Sequence, residues 1–246
     1  MPGIKPGMTK MSITSTPKPS RRKPRAFFGR RKGHKLRKRQ ADLMGSLLPQ
    51  LAIDLSQPAP AELVALFPVP VREVQLEIGF GGGENLIAQA QTKPDTGFLG
   101  IEPFVNGMAK ALAAIDQLEL QNIRLHFDDA TSLLAWLPDA SLSCIDMIHP
   151  DPWPKRRHWK RRFVQDATVM SFARILRRDG ELRFVTDIAD YAAWTLQRFI
   201  RSGDFDWTAQ CADDWRTPWA DFAGTRYHAK AARAQRPPCF LTFRRV

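Results

Sequence analysis

The chain has 246 residues, 43% of them apolar, enough for one substantial core and short for two full domains. Its formal charge is +12, yet residues 1–40 hold 14 Lys/Arg and no Asp/Glu, whereas the other residues hold 23 and 25, a formal −2. The basic pole is therefore the amino-terminal stretch, which favours phosphate backbones or anionic surfaces. No apolar run approaches the roughly 20 residues of a membrane-crossing helix.

Residues 1–26 consist largely of Pro, Ser, Thr, Lys and Arg and are expected to form a disordered basic tail, with one domain over 27–246. From Phe27 to Arg39 aromatics and glycines interleave with basic residues, a composition suited to ordering on a polyanion. Leu43, Met44, Leu47, Leu48 and Leu51 fall at helical spacing, predicting a short helix over Gln40–Leu51 stopped near Pro49. An alternation follows. Strands are predicted at Val74–Ile78, Phe98–Ile101, Ile123–Phe127, Leu142–Ile148 and Glu181–Val185. Helices are predicted between and after them at Glu84–Gln91, Asn106–Leu118, Ser132–Leu137, Arg161–Leu176 and Ile188–Ile200. Further strands fall at Phe205–Gln210 and Cys239–Arg244. Strands alternating with helices of this length indicate an α/β fold, a doubly wound and mostly parallel sheet. Cys144, Cys211 and Cys239 lack metal-ligand spacing and the five histidines show no zinc-like pairing. No metal site is expected, and the cysteines suit the reducing cytoplasm.

His149-Pro-Asp-Pro-Trp-Pro-Lys155 is the most distinctive segment. It follows an apolar strand that it cannot extend, because each proline fixes φ and removes a backbone donor. The turn leaves the Asp151 carboxylate and the Trp153 ring at a strand's carboxyl end, where ligands bind in open α/β sheets. Lys155, Arg156, Arg157, Lys160, Arg161 and Arg162 follow at once. An acid and an aromatic beside a dense cationic run point to chemistry on a base in a nucleic acid.

Carboxylates recur at strand ends: Glu77, Glu102, Asp129, Asp151 and Asp187. In a parallel sheet all five gather along one edge, more than helix capping alone accounts for. Gly79, Gly81 and Gly83 allow a ligand to approach the backbone, a pattern shared by dinucleotide binders and methyltransferases. Glu102 is spaced to grip ribose hydroxyls. Glu77 precedes the glycines, where it would repel a pyrophosphate but suit the ammonium of a methionine moiety. Asp129 is placed to accept from an exocyclic adenine amine. Together these favour S-adenosylmethionine over a dinucleotide.

The segments EIGFGGGENL (77–86), FLGIEPF (98–104), HPDPWPKRRHWKRRFVQ (149–165), FVTDIADYAAW (184–194) and Thr225-Arg-Tyr227 resemble the bacterial tRNA (guanine-N7)-methyltransferases. The resemblance runs from about Phe28 to the end. It implies the class I methyltransferase sheet of seven strands with the last antiparallel. It also implies methyl transfer from S-adenosylmethionine to N7 of a guanine in the variable loop of tRNA. Residues matching Glu77, Glu102, Asp129 and Asp151 would contact the cofactor, with Asp151 also catalytic. Those matching Lys155 and Asp187 would bind tRNA, together with a Thr-x-Phe-Glu motif that begins here at Thr225. Two positions depart from the pattern: His149 stands where the family usually has Phe, and His228 where the motif ends in Glu. The segment after His228 has also diverged, which favours a His228 that points outward or contributes weakly. A catalytically silent RNA-binding relative, or a methyltransferase for another base position, remain the competing readings, and oligomeric state is not legible.

Overall fold

The structure is a computed structural model that describes residues 28–246; the expected tail over 1–26 lies outside the described residues. Seven strands form one sheet: β1 (Glu73–Ile78), β2 (Thr96–Ile101), β3 (Ile123–His126), β4 (Leu142–Ile148), β5 (Leu176–Thr186), β6 (Phe205–Trp207) and β7 (Cys239–Arg245). Their spatial order is β3-β2-β1-β4-β5-β7-β6. β1 to β5 pair in parallel, and β7 runs antiparallel between β5 and β6. The expected seven-stranded sheet with an antiparallel last strand is thus present. Every residue of β2 and β4 is buried, because parallel strands covered on both faces leave no solvent side.

The helices are α1 (Lys38–Ser46), α2 (Leu48–Leu51), α3 (Glu84–Thr92), α4 (Val105–Leu118), α5 (Ala130–Trp136), α6 (Asp166–Ile175), α7 (Ala189–Ser202), α8 (Asp213–Arg216) and α9 (Arg226–Arg233). α1, α3 and α4 enclose one core through Leu43, Leu86, Met108, Leu112 and Ile115. α5, α6 and α7 enclose the other, where Phe172, Phe199, Phe205 and Phe243 pack with β5, β6 and β7.

Several predicted boundaries change. The helix expected over Gln40–Leu51 is two helices, and Pro49 lies in the first turn of α2 rather than ending a helix. The helix expected from Arg161 begins only at Asp166. Residues Arg156–Arg161 form a 3₁₀ turn, and Arg162 turns inward, fully buried beneath Trp159, Tyr191 and Trp194 and paired with Asp190. Burying that guanidinium requires extended backbone at Arg162, and Gln165 and Thr168 then cap α6 reciprocally. β5 starts at Leu176, five residues before its predicted start, since Leu176 already pairs with Leu142. β6 ends at Trp207, and α9 had no counterpart in the predicted elements.

One buried ion pair crosses the sheet. Asp146 and Arg183 are register partners on β4 and β5, joined by Nε–Oδ1 and Nη2–Oδ2 hydrogen bonds of 2.6 and 2.7 Å. Arg183 also donates to Asp221 at 2.9 Å and lies over Trp219, 4.8 Å from its centroid. Asp221 in turn accepts from Lys93 at 2.6 Å. Removing one partner of such a pair strands a charge in low dielectric, at a cost of about 3–5 kcal/mol. Arg183→Met should lose roughly that much stability in urea unfolding, and the double change Asp146→Leu/Arg183→Met should recover most of it. A single variant as stable as the parent would show that the pair does not hold β4 and β5 together.

Candidate active site

Between β1 and β4 the chain direction through the sheet reverses: β1 leads through α3 outward to β2, and β4 leads through α6 outward to β5. Such a reversal opens a crevice at the carboxyl ends of the strands. A cavity of about 340 Å³ lies there, floored by Ile78, Ile101, Met147 and Ile148 and edged by Glu102 and Asp151.

The glycine turn after β1 forms one wall. Gly79, Gly81 and Gly83 have φ of 72°, 61° and 82°, a region that side chains disfavour. The Gly81 N–H donates to Glu102 Oε2 at 2.6 Å and the Phe104 N–H to Oε1 at 2.8 Å, so the Glu102 carboxylate is fixed against the turn. Gly107 on α4 allows this approach, because a Cβ there would stand 2.2 Å from the Gly81 carbonyl oxygen. Burial raises the Glu102 carboxyl to about 7 against the pull of its two N–H donors.

Glu77 is buried just behind Ile78 and Gly79. It accepts from Asn85 Nδ2 at 3.0 Å, while the Asn85 Oδ1 is buried without a partner. Burial, reinforced by the nearby Asp146 carboxylate, pushes Glu77 up to about 8. Asp129 caps α5, its Oδ1 accepting from Thr131 N–H at 2.9 Å and Thr131 Oγ1 at 2.6 Å; its neighbour Ala130 reaches the cavity.

Asp151 lines the same cavity between Pro150 and Pro152; the residue is exposed overall, yet partial desolvation by the surrounding chain raises its carboxyl above the ordinary aspartate value. Beside it Trp153 meets Phe28 edge-on at 6.4 Å, and Arg161 lies over both rings, 4.9 Å from the Trp153 centroid and 5.6 Å from that of Phe28. Phe28, Gly29 and Arg30 line the cavity, and the segment that follows them is held to the domain. Gly33 N–H donates to Asn106 Oδ1 at 2.8 Å, Asn106 Nδ2 to the His34 carbonyl at 2.8 Å, and Arg31 to Asp128 at 2.7 Å. The part of the basic stretch that sequence reasoning gave to a polyanion is therefore docked on the domain and walls the cavity.

The remaining expected substrate residues group farther along the edge. Lys155 is exposed at the start of the 3₁₀ turn. Asp187 places Oδ1 3.5 Å from His149 Nδ1 and Oδ2 2.8 Å from Arg236 Nε. Thr225 Oγ1 accepts from the His228 N–H at 3.2 Å, starting α9. His228 does not point outward as expected. Its ring packs against Phe222, Phe240 and His149, with centroids 5.3, 6.0 and 6.3 Å away. The structure thus brings Glu102 and Asp151 to one cavity, sets Glu77 and Asp129 just behind its walls, and gathers Asp187, Thr225 and His228 beside it.

Sequence reasoning passed over Arg226, Tyr227 and Asn85. Arg226 and Tyr227 line the cavity from α9, and Arg226 lies near enough to Glu102 to favour its charged form. Their signal was the Thr-Arg-Tyr match itself, which carried the resemblance without a site role being given to Arg226 or Tyr227. Asn85 had no signal, since a polar residue in a helix's first turn is commonplace. Among the described residues no group of three or more His, Cys, Asp or Glu is arranged to hold a metal, and no helix is long and apolar enough to cross a membrane.

Comparisons with known proteins agree with this geometry. The family described as "Putative methyltransferase" matches residues 71–241. The solved structure of the 16S rRNA methyltransferase KamB shares the fold at a TM-score of 0.53 and 14% identity, covering 77% of this chain and 95% of that one. A relative from Rhodopseudomonas palustris named tRNA (guanine-N(7)-)-methyltransferase is 62% identical over 89% of this chain and 86% of its own length. Relatives of the same name from Bradyrhizobium diazoefficiens and Agrobacterium fabrum are 60% and 56% identical, covering 90% and 89% of this chain and 94% of their own lengths. With identity this high along nearly its whole length and the glycine turn, strand-end acids and switch-point cavity in place, the chain belongs to the tRNA (guanine-N(7)-)-methyltransferase family.

Proposed function

We propose that the chain transfers a methyl group from S-adenosylmethionine to N7 of a guanine in the variable loop of tRNA. The observation that carries the reading is the meeting of Glu102 and Asp151 at one cavity at the sheet's switch point, with the positive-φ glycine turn following β1. The donor and acceptor set fits the cofactor: an apolar floor, a buried carboxyl at Glu77, the unpartnered Asn85 Oδ1 beside it, and Glu102 fixed at the second strand end. Glu77 would take the ammonium and Glu102 the ribose hydroxyls, with Gly79, Gly81 and Gly83 admitting the chain between them. Asp129 would take the adenine amine, and is the least well placed of the set because Oδ1 already serves Thr131.

When bound, the cofactor supplies an electrophilic methyl group on a sulfonium. Guanine N7 carries a lone pair and no proton, so no general base is required. The protein's task is to orient the two reactants and exclude water, which is worth up to about 7–11 kcal/mol in favourable cases. As positive charge passes to the purine, the Asp151 carboxylate, held between two prolines, stabilises it. Lys155, Asp187 and Thr225 would hold the RNA, with cations at 155–161 on phosphates that position without reading sequence.

Mass spectrometry of nucleosides from tRNA incubated with the protein and S-adenosylmethionine tests the reading; 7-methylguanosine is the expected product, and another methylated base would replace it. Asp151→Ala should lower kcat by about 100-fold or more at an unchanged Tm. Turnover like that of the parent would remove Asp151 from the catalytic role.

The raised carboxyls give a second test. A cation beside Glu77 favours its ionised form, so binding expels a proton wherever the pH lies below the free protein's value of about 8. Glu102, at about 7, acts in the same direction when it accepts from hydroxyls. Cofactor affinity should therefore rise from pH 6 towards pH 8, up to the point where the ammonium itself begins to lose its proton. Calorimetry in two buffers of different ionisation enthalpy would read the released proton directly. A dissociation constant constant across that range would place the ammonium elsewhere.

A further inference from the structure

His149 and His228 come from distant parts of the chain and meet at the cavity's edge, their ring centroids 6.3 Å apart. His149 follows β4, donates its backbone N–H to the Val185 carbonyl at 2.8 Å, and lines the cavity next to Asp151. Its side chain is only 5% exposed. The His149 Nε2 and the His228 Nδ1 are both buried and neither has a hydrogen-bond partner. Two adjacent buried ring nitrogens left unsatisfied are unusual, because such groups are otherwise paired. They mark a place that something else completes.

The neighbours decide what that is. The Asp187 carboxylate faces His149 Nδ1 at 3.5 Å and is itself paired through its other oxygen with Arg236 at 2.8 Å. A carboxylate accepts only, so the His149 proton sits on Nδ1 and Nε2 is left as an acceptor. Burial lowers the His149 pKa, keeping the ring neutral despite Asp187. Around His228 the packed groups are Phe222 and Phe240, which neither donate nor accept. With the His228 proton on Nε2, as proposed below, both unpartnered nitrogens accept and the partner that completes them is a pair of donors. The N1–H and 2-amino group of guanine are such a pair; adenine presents an acceptor at N1.

We propose that His149 and His228 together form the guanine-recognition edge of this enzyme, His149 Nε2 and His228 Nδ1 accepting from the base's N1–H and 2-amino group. This rests on the guanine-N7 reading above and adds the base contacts to it. Asp187 and Arg236 act behind His149 as positioning residues that set its tautomer. α9 closes its backbone hydrogen bonds within residues 225–236, and the Arg236–Asp187 ion pair ties its end to the sheet. Because both nitrogens are buried, α9 must move away from His149 as the base enters.

The test compares tRNA transcripts carrying guanosine or inosine at the target position; inosine keeps N7 and lacks only the 2-amino group. The full-length protein should prefer guanosine in kcat/KM by several-fold to about tenfold, the worth of one neutral hydrogen bond. In the double variant His149→Phe/His228→Phe, which keeps two rings in an aromatic cluster, that ratio should fall to about one. His149→Gln/His228→Gln restores side-chain acceptors and should recover part of the preference. A parent enzyme that methylates both transcripts equally overturns the proposal without recourse to any variant. So does a phenylalanine variant that loses kcat/KM equally on both and keeps the ratio. Failure of the parent to methylate guanosine at all would instead refute the guanine-N7 reading.

Discussion

The Asp146–Arg183 pair is the interaction on which the site depends. It lies at the centre of β4 and β5, both side chains buried, and its consequences reach residues that surround the cavity. Through Arg183 it holds Asp221 and Trp219, and so the loop whose Phe222 packs on His228. Burial is the main reason that the Glu77 carboxyl is raised, and the Asp146 carboxylate adds to it while Arg183 pulls the other way. Burial alone would weaken the Arg183 cation, but the Asp146 carboxylate more than offsets it and the guanidinium stays charged. A buried pair of this kind contributes little net stability relative to apolar residues. Its value is positional, since two planar groups joined by two parallel hydrogen bonds fix strand register and loop placement together.

The same chain of charges accounts for a site rich in acids yet not strongly repelling itself. Glu77 and Glu102 sit close to neutral pH in their proton affinity, so the free protein need not carry two full buried negative charges there. Both become good anions only when a partner arrives that rewards the ionised form. The unpartnered Asn85 Oδ1 fits this account, because it adds an acceptor next to Glu77 without adding charge. A group of three N–H donors, such as the ammonium proposed above, would find two acceptors there, whereas a phosphate offers no donor for either. That contrast separates this glycine turn from a dinucleotide turn more firmly than glycine spacing does.

Most of the sheet was legible because parallel strands buried on both faces are written as continuous apolar runs; Leu142–Ile148 has the same bounds in sequence and structure. That same rule concealed Asp146, a lone acid inside the run whose partner is 37 positions later in the chain. Arg162 was misread for a related reason. It stands in a solvated-looking basic run, and only the arrival of Trp159, Tyr191 and Trp194 around it makes burial favourable. Of the candidate site, the strand-end acids were legible from position alone, since a parallel sheet must bring its carboxyl ends together. What position cannot give is which oxygen is already taken. Asp129 serves its own helix and Asp187 is shared between His149 and Arg236, whereas Asp151 faces the cavity. The inward turn of His228 depends on Phe222 and Phe240, which belong to a loop and the last strand and share no local pattern with it.

The turn after β4 shows how the chain keeps Asp151 in one place. His149 and Trp153 have φ of 51° and 40°, so positive-φ residues flank the Pro-Asp-Pro tripeptide on both sides. Each costs on the order of 1–3 kcal/mol and persists only where the surroundings over-determine it. They do so here. The His149 N–H is held by Val185 and its ring by Asp187, while Arg161 covers the Trp153 ring and Arg162 donates to the Pro152 carbonyl at 2.9 Å. Histidine also tolerates left-handed backbone better than most bulky residues, so its presence at 149 relieves strain that phenylalanine would increase. With both flanks pinned and both neighbours proline, the Asp151 backbone has almost no freedom left to lose when a substrate binds. A carboxylate that is already in place stabilises a developing cation without reorganising, and that is the form of catalysis a proton-free methyl transfer can use.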